Sequence, residues 1–280
     1  MIDSYKNKIV ILIPYYGKFP WYFSYFLHSC RFNLTIDFII FTDTIFSRAL
    51  PPNVRVISKT LSDIKELASR ALQMPASLEF PYKLCDFRPA YGLIFQEYTV
   101  GYDFWGQGDI DVIYGDLRGF MNDEMLDKYD FISVRHDYTT GCFALYRNTG
   151  LMNNIFKGSK DYERVFSTIS YLGFDECNFK QEKLTDDTSI FDLETDIESF
   201  THIIRSAQNT HEINAHFDFL LLEGTPGRIR FEEGKMIYKN RYEAILYHLY
   251  WLKRVYQPNI TPEYIPDRYS ISKTRVYRSG

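Results

Sequence analysis

The chain has 280 residues, 45% hydrophobic and 24% charged, which is the balance of an ordinary soluble protein with the length for a sizeable core. A net charge of −4 gives no reason to expect a nucleic-acid partner. Four scattered cysteines without a CxxC pair argue against a zinc site or a disulfide framework and suit a reducing cytoplasm, and no apolar run reaches the roughly 18 residues a membrane span needs.

Lys8–Pro14 is a β-branched run bounded by Pro and Gly, the pattern of a strand buried on both faces. Its apolar part, Ile9–Pro14, is too short for a signal-peptide core. Trp21–Asn33 has helical spacing of aromatics, Ile36–Asp43 and Asn53–Ser58 read as two more strands, and Leu61–Leu72 reads as a helix opening with a Ser cap. This alternation predicts a doubly wound α/β half, with ligands at the carboxyl ends of the strands near Pro14-Tyr15-Tyr16-Gly17 and Thr42-Asp43. Pro81–Tyr98 reads as a loop entering a helix, with Lys83, Asp86 and Arg88 near its start. A strand from Tyr102 follows, and it delivers Asp109 and Asp111 at a turn. Tyr129–His136 and Gly141–Asn148 are further strands, 184–198 is an acidic loop, Ile229–Lys239 is a meander of short strands, and Glu243–Tyr256 is a late helix.

The run FWGQGDIDVIYGDL, from Phe104 to Leu117, carries the chemistry. Asp109 and Asp111, one residue apart at a strand end, can both reach one hard divalent cation, Mn2+ or Mg2+, which takes oxygen ligands together with substrate phosphates. Gly106 and Gly108 are expected to let a bulky ligand approach the backbone. A bare D-x-D also arises by chance as a solvated turn; its place at the end of a strand in an α/β half gives it weight. The high aromatic share, 18%, is a trait of both sugar-handling and membrane-surface proteins.

PYYG, FTD, KLCDFRPAYG and WGQGDIDVIYGDL, in that order, resemble a bacterial glycosyltransferase of the GT-A fold, of the group found in capsule and lipopolysaccharide loci. The resemblance runs from about Ile9 to Lys253. It implies a GT-A fold: a single α/β domain with a mixed central sheet. The implied nucleotide-sugar half spans 1–117, the acceptor half 118–256, and a basic and aromatic C-terminal tail 257–280. It implies a metal-dependent enzyme moving a sugar from a nucleotide-diphosphate sugar, UDP-linked, to a glycan or lipid-linked acceptor. Pro14, Tyr15 and Gly17 would border the nucleotide, Asp43 would contact base or ribose, and Lys83, Asp86 and Arg88 would line the donor sugar and phosphates.

In some GT-A enzymes a late histidine is a further metal ligand and a lysine after it contacts the diphosphate. His248 and Lys253 stand in that order, without the Gly and Pro of the usual HxxGxxKPW and with different spacing. Asp175 and Glu176 resemble, in reversed order, the acidic pair that supplies the base of inverting enzymes, which takes the proton of the attacking hydroxyl. Asp186 and Asp187 are the second choice for that role, and retaining transfer stays open because His248 and Lys253 resemble retaining families. Two other readings compete: a GT-A-like saccharide-binding module without turnover, and a nucleotidyltransferase. The former has no use for a metal pair; the latter usually has a Gly-rich basic loop that PYYGKFP lacks.

From Trp251 onward six Lys and Arg residues are interleaved with Trp251, Tyr256, Tyr264, Tyr269 and Tyr277, against Glu263 and Asp267. Such a stretch can rest on anionic lipid at about 1 kcal/mol per basic residue. The expected location is cytoplasmic, with peripheral contact at the inner membrane face.

Overall fold

The computed structural model describes residues 5–47, 49–186, 188–259 and 264–278. The first half lays down β1 (Ile9–Pro14), α1 (Phe23–Cys30), β2 (Ile36–Thr42), β3 (Val54–Ser58), α2 (Leu61–Leu72), β4 (Phe104–Gly108) and β5 (Val112–Tyr114). β6 (Phe131–Ser133), β7 (Phe143–Arg147), β8 (Ala215–Phe217) and β9 (Leu221–Leu222) follow. The chain ends in β10 (Ile229–Glu232), β11 (Lys235–Tyr238), β12 (Tyr242–Ala244), β13 (Leu246–His248), β14 (Arg268–Ile271) and β15 (Val276–Arg278).

A seven-stranded sheet of order β3-β2-β1-β4-β7-β6-β8 forms the centre. β3, β2, β1 and β4 are parallel, β7 runs antiparallel between β4 and β6, and β8 is parallel to β6. The mixed α/β sheet predicted from the sequence is therefore present. Alternating side chains of β1 enter two cores: Val10 and Leu12 pack with Ile39, Phe41 and Trp105, while Ile9, Ile11 and Ile13 pack with Phe38, Ile40 and Phe104. That is why β1 is apolar throughout: the sheet is covered on both faces and a strand points successive residues to opposite sides.

β4 explains its own glycines. A Cβ on Gly106 would lie 2.7 Å from Ile11 Cδ1 and Leu145 Cδ2 and 2.8 Å from the Ala144 carbonyl oxygen. On Gly108 it would meet the Tyr114 hydroxyl at 2.7 Å. The expectation that a ligand approaches at these glycines is corrected for Gly106, where Ile11 and Leu145 already fill the space; Gly108 stays on the lining of a cleft at the end of β4.

Two smaller sheets complete the molecule. One joins β5, β13 and β9, with β13 antiparallel to β5 and parallel to β9. The other has the order β12-β11-β10-β14-β15. It shares a core with α1 and β5, in which Tyr25 and Ile113 meet Phe231, Met236 and Tyr269.

Four expectations about elements change. α2 is capped by Thr60 and not by Ser62: the Thr60 hydroxyl accepts from Asp63 N while the Asp63 carboxylate accepts from Thr60 N, a capping box. The segment after Pro81 is a chain of short helical turns rather than one helix; Pro89, which has no N–H to donate, falls among them. The late helix 243–256 divides into β12, β13 and a short helix at Leu252–Val255. Finally, the stretch expected as a basic and aromatic tail contributes β14 and β15 to a sheet, and its Tyr269 is buried. Glu263 and the chain end lie outside the described residues. Among the described residues no helix is long and apolar enough to cross a membrane.

Candidate active site

β1 and β4 are parallel neighbours, paired from Ile9↔Phe104 to Leu12↔Gln107, so their carboxyl ends open on one edge of the sheet. In open α/β sheets that edge is where ligands bind. A cleft of about 300 Å³ lies there, lined among others by Pro14, Tyr15, Tyr22, Tyr82, Arg88, Asp109, Asp111 and Lys253. Tyr15 N donates to the Phe41 carbonyl at 2.9 Å, which fixes the end of β1 against β2.

Asp109-Ile110-Asp111 is the turn between β4 and β5. Both of its ends are pinned by backbone: Asp109 N donates to Cys142 O at 3.3 Å, and Leu249 N donates to Asp111 O at 2.8 Å. Because β13 pairs with β5 through His248↔Val112, His248 is brought beside that turn from far along the chain. One ligand atom from each of Asp109, Asp111 and His248 lies within 4.8 Å of the others, a group that can hold a metal ion. The donor set of two carboxylates and one imidazole suits a first-row or alkaline-earth divalent cation and lacks the thiolates of a structural zinc site.

The imidazole is oriented as a ligand would be. Its Nε2 is 3.7 Å from Asp111 Oδ2, and its Nδ1 is 3.3 Å from Glu223 Oε1 on the far side. A carboxylate behind a histidine is a common means of fixing the ring of a metal ligand. Glu223 is itself held by Arg135 at 2.6 Å. Burial alone would lower the His248 pKa, but the facing carboxylates of Asp111 and Glu223 outweigh it and raise the value to about 10. For Asp111, burial works towards the neutral acid, but His248 and Lys253 hold it well below the usual carboxylate range. The Lys253 ammonium donates to Asp111 Oδ2 at 2.5 Å.

Arg88 links the Asp109–Asp111–His248 cluster to the acid pair. One guanidinium nitrogen is 2.5 Å from Asp109 Oδ1 and another is 2.7 Å from Asp175 Oδ2. Asp175 is 1% exposed and also accepts from the Tyr171 hydroxyl at 3.2 Å. Burial pushes its pKa up to about 8, opposed by Arg88. Burial likewise raises Asp109, again against Arg88. Glu176 is half-buried; its carboxylate accepts from Gly141 N at 2.9 Å and from the Gln181 amide at 2.8 Å.

Residues 11–279 match the profile of a family described as a family of unknown function, DUF6625. The chain belongs to that family. No match is found among the curated proteins. Among solved structures, the galactosyltransferase LgtC in complex with donor and acceptor sugar analogs overlaps 76% of the chain and 75% of its own, at 11% identity and a TM-score of 0.39.

The DUF6625 chain gathers Pro14, Tyr15, Arg88, Asp109, Asp111 and Lys253 at one cleft, with His248 beside the two aspartates. Lys83 and Asp86 are not there, which corrects their expected place along the donor. Both side chains have 0% exposure; Lys83 Nζ is 2.8 Å from Asp86 and donates to the carbonyls of Val165 and Ser170. Asp86 in turn accepts from Leu172 N and Phe174 N. The pair is internal scaffolding under the loop that carries Asp175. Asp43 is exposed past the end of β2, outside the cleft lining. Gly17 has φ +121° and its carbonyl accepts from the Thr44 hydroxyl, so it shapes the turn after β1. Asp186 is exposed, and Asp187 lies outside the described residues. Glu223, Arg135, Tyr22 and Tyr82 were not singled out from the sequence. No short motif contains them; the strand pairing and the loops bring them to the site.

Proposed function

We propose that the chain is a metal-dependent glycosyltransferase that transfers a sugar from a nucleotide-diphosphate sugar, UDP-linked, to a glycan or lipid-linked saccharide. The observation that carries this reading is the cluster of Asp109, Asp111 and His248 at the mouth of a cleft that also holds Arg88 and Lys253. Mn2+ or Mg2+ on those three side chains would neutralise a bound diphosphate and its charge as a leaving group. Arg88 and Lys253 bring two basic side chains to the same place, which suits an anionic donor better than a neutral ligand. Pro14, Tyr15 and Tyr22 add apolar and aromatic surface to the same cleft, as a nucleoside needs.

In this reading transfer inverts, and Glu176 is the better base of the pair. Asp175 is closed off by Arg88 and Tyr171, whereas Glu176 keeps part of its surface open and is steered by Gly141 N and Gln181. Gly141 supports that arrangement: a Cβ there would fall 2.1 Å from the Arg88 guanidinium, 2.8 Å from Asp175 and 3.1 Å from Glu176.

The test is calorimetry with UDP and Mn2+. Wild type should bind UDP only with the metal. Asp111→Ala should abolish that binding while its circular dichroism spectrum stays native, because the carboxylate lies at a turn outside the sheet. Metal-dependent UDP affinity unchanged in Asp111→Ala, or absent in wild type, would overturn the proposal.

A further inference from the structure

Beside the acid pair lies a row of three aromatic rings whose placement core packing does not explain. Tyr82 lines the cleft and is 61% exposed, and Phe179 is 57% exposed at the other end of the row. Tyr171 stands between them, with ring centroids 4.9 Å from Tyr82 and 5.4 Å from Phe179, both contacts edge-to-face. Neither exposed ring is stacked face-to-face on a neighbour within the row. The middle ring is tied to the site, since the Tyr171 hydroxyl donates to Asp175 Oδ1 at 3.2 Å.

The backbone is strained where it presents Phe179. Asn178 and Phe179 have φ of +51° and +63°, two left-handed residues in succession. For a bulky side chain this is an outlier, disfavoured by about 1–2 kcal/mol. The loop is nevertheless firmly held. Asn178 N donates to Gly173 O, its side-chain amide donates to Leu172 O, and its side-chain oxygen accepts from Asp196 N. Gly173, itself at φ +66°, leaves room for the ring, because a Cβ there would stand 3.2 Å from Phe179. Strain held in place by its surroundings is typical of ligand clamps, and here it holds an apolar ring in solvent.

We propose that Tyr82, Tyr171 and Phe179 form a platform for a neutral pyranose ring of the acceptor saccharide. A pyranose has one face of C–H groups, which suits the electron-rich face of an aromatic ring, and a rim of hydroxyls. The Glu176 carboxylate, which keeps part of its surface open, stands beside the platform to receive such hydroxyls. The same carboxylate disfavours an anionic lipid surface as the occupant. The acceptor role rests on the transferase reading above; saccharide binding by the platform does not.

A glycan array of neutral gluco-, galacto- and N-acetylglucosamine-type oligosaccharides, probed with the full chain and without metal or nucleotide, tests this. Wild type should retain at least one saccharide. Tyr82→Ala and Phe179→Gly should each hold it roughly tenfold more weakly or lose it, as expected for one lost stacking contact. Tyr242→Ala, an equally exposed ring on β12, should match wild type. Because glycine accepts the left-handed backbone, Phe179→Gly should melt at or above the wild-type temperature, which separates lost binding from lost fold. No saccharide retained by wild type, or equal retention by Tyr82→Ala and Phe179→Gly, would overturn the platform. Failure of UDP to bind with Mn2+ would instead remove the transferase reading and leave the platform standing.

Discussion

Asp175 sits where burial and charge pull in opposite directions. Its carboxyl has almost no contact with water, yet it faces Arg88 at 2.7 Å, and the balance leaves its pKa at about 8. An aspartate in the unfolded chain titrates near about 3.9. Between those values the folded protein holds a proton that the unfolded chain has released, so this residue's contribution to stability is lost as pH rises through the window. Asp175→Asn removes the titration. The difference in melting temperature, wild type minus variant, should shrink as pH goes from about 5 to about 8. A flat difference would mean that Asp175 has an ordinary pKa. At this scale the sequence is informative about charge and spacing and silent about depth. Asp109 and Asp111 are legible because the D-x-D follows a strand in an α/β half, at the edge where such sheets bind ligands. His248 and Lys253 are legible only by their order in the chain. Lys83 and Asp86 look like a polar loop start, and nothing in their spacing reveals that both are fully buried. Glu223 and Arg135, 88 residues apart, are coupled only through the fold.

At the level of elements, β-branched runs and Pro-Gly boundaries identify β1, β2 and β3 because a strand covered on both faces has no polar positions to blur the pattern. The late segment around His248 is harder. LYHLYWL has three leucines and two tyrosines at spacings compatible with a helix, and only pairing with β5 and β9 makes Leu246–His248 a strand. Gly106 of β4 is misread for a related reason: a gap in a strand looks the same whether a ligand or a neighbouring side chain fills it. Here Ile11 and Leu145 fill it. Gly106→Ala should therefore act as an overpacking change, costing about 1–3 kcal/mol in urea unfolding while the UDP affinity of the folded fraction stays at the wild-type value. Wild-type stability would show that β4 and β7 can move apart to admit a methyl group. Lost UDP affinity at wild-type stability would return Gly106 to the ligand.

Across the whole molecule, the C-terminal stretch decides whether the site has a floor. β14 lies between β10 and β15 and buries Tyr269 and Ile271, and the Tyr25 ring of α1 packs on Tyr269 at 5.3 Å. Asp267 bonds both His28 and Arg31, which ties the same stretch to the end of α1. Through Ile113 of β5 this core reaches the element that follows the Asp109–Asp111 turn, so the cluster of Asp109, Asp111 and His248 leans on it. A side chain of this kind stabilises by roughly 1.5–3 kcal/mol when buried, against a total margin of about 5–15 kcal/mol for a folded domain. Loss of Ile265, Tyr269, Ile271 and Val276 together is thus on the scale of the whole margin. A chain ending at Tyr256 should melt well over about 4 °C lower than the full chain, or fail to give a cooperative transition at all. It should also lose UDP affinity with Mn2+, although none of Asp109, Asp111, His248 and Lys253 has been removed. If 257–280 served only as a basic anchor for anionic lipid, the shortened chain would keep the full melting temperature and UDP affinity and lose only sedimentation with phosphatidylserine vesicles.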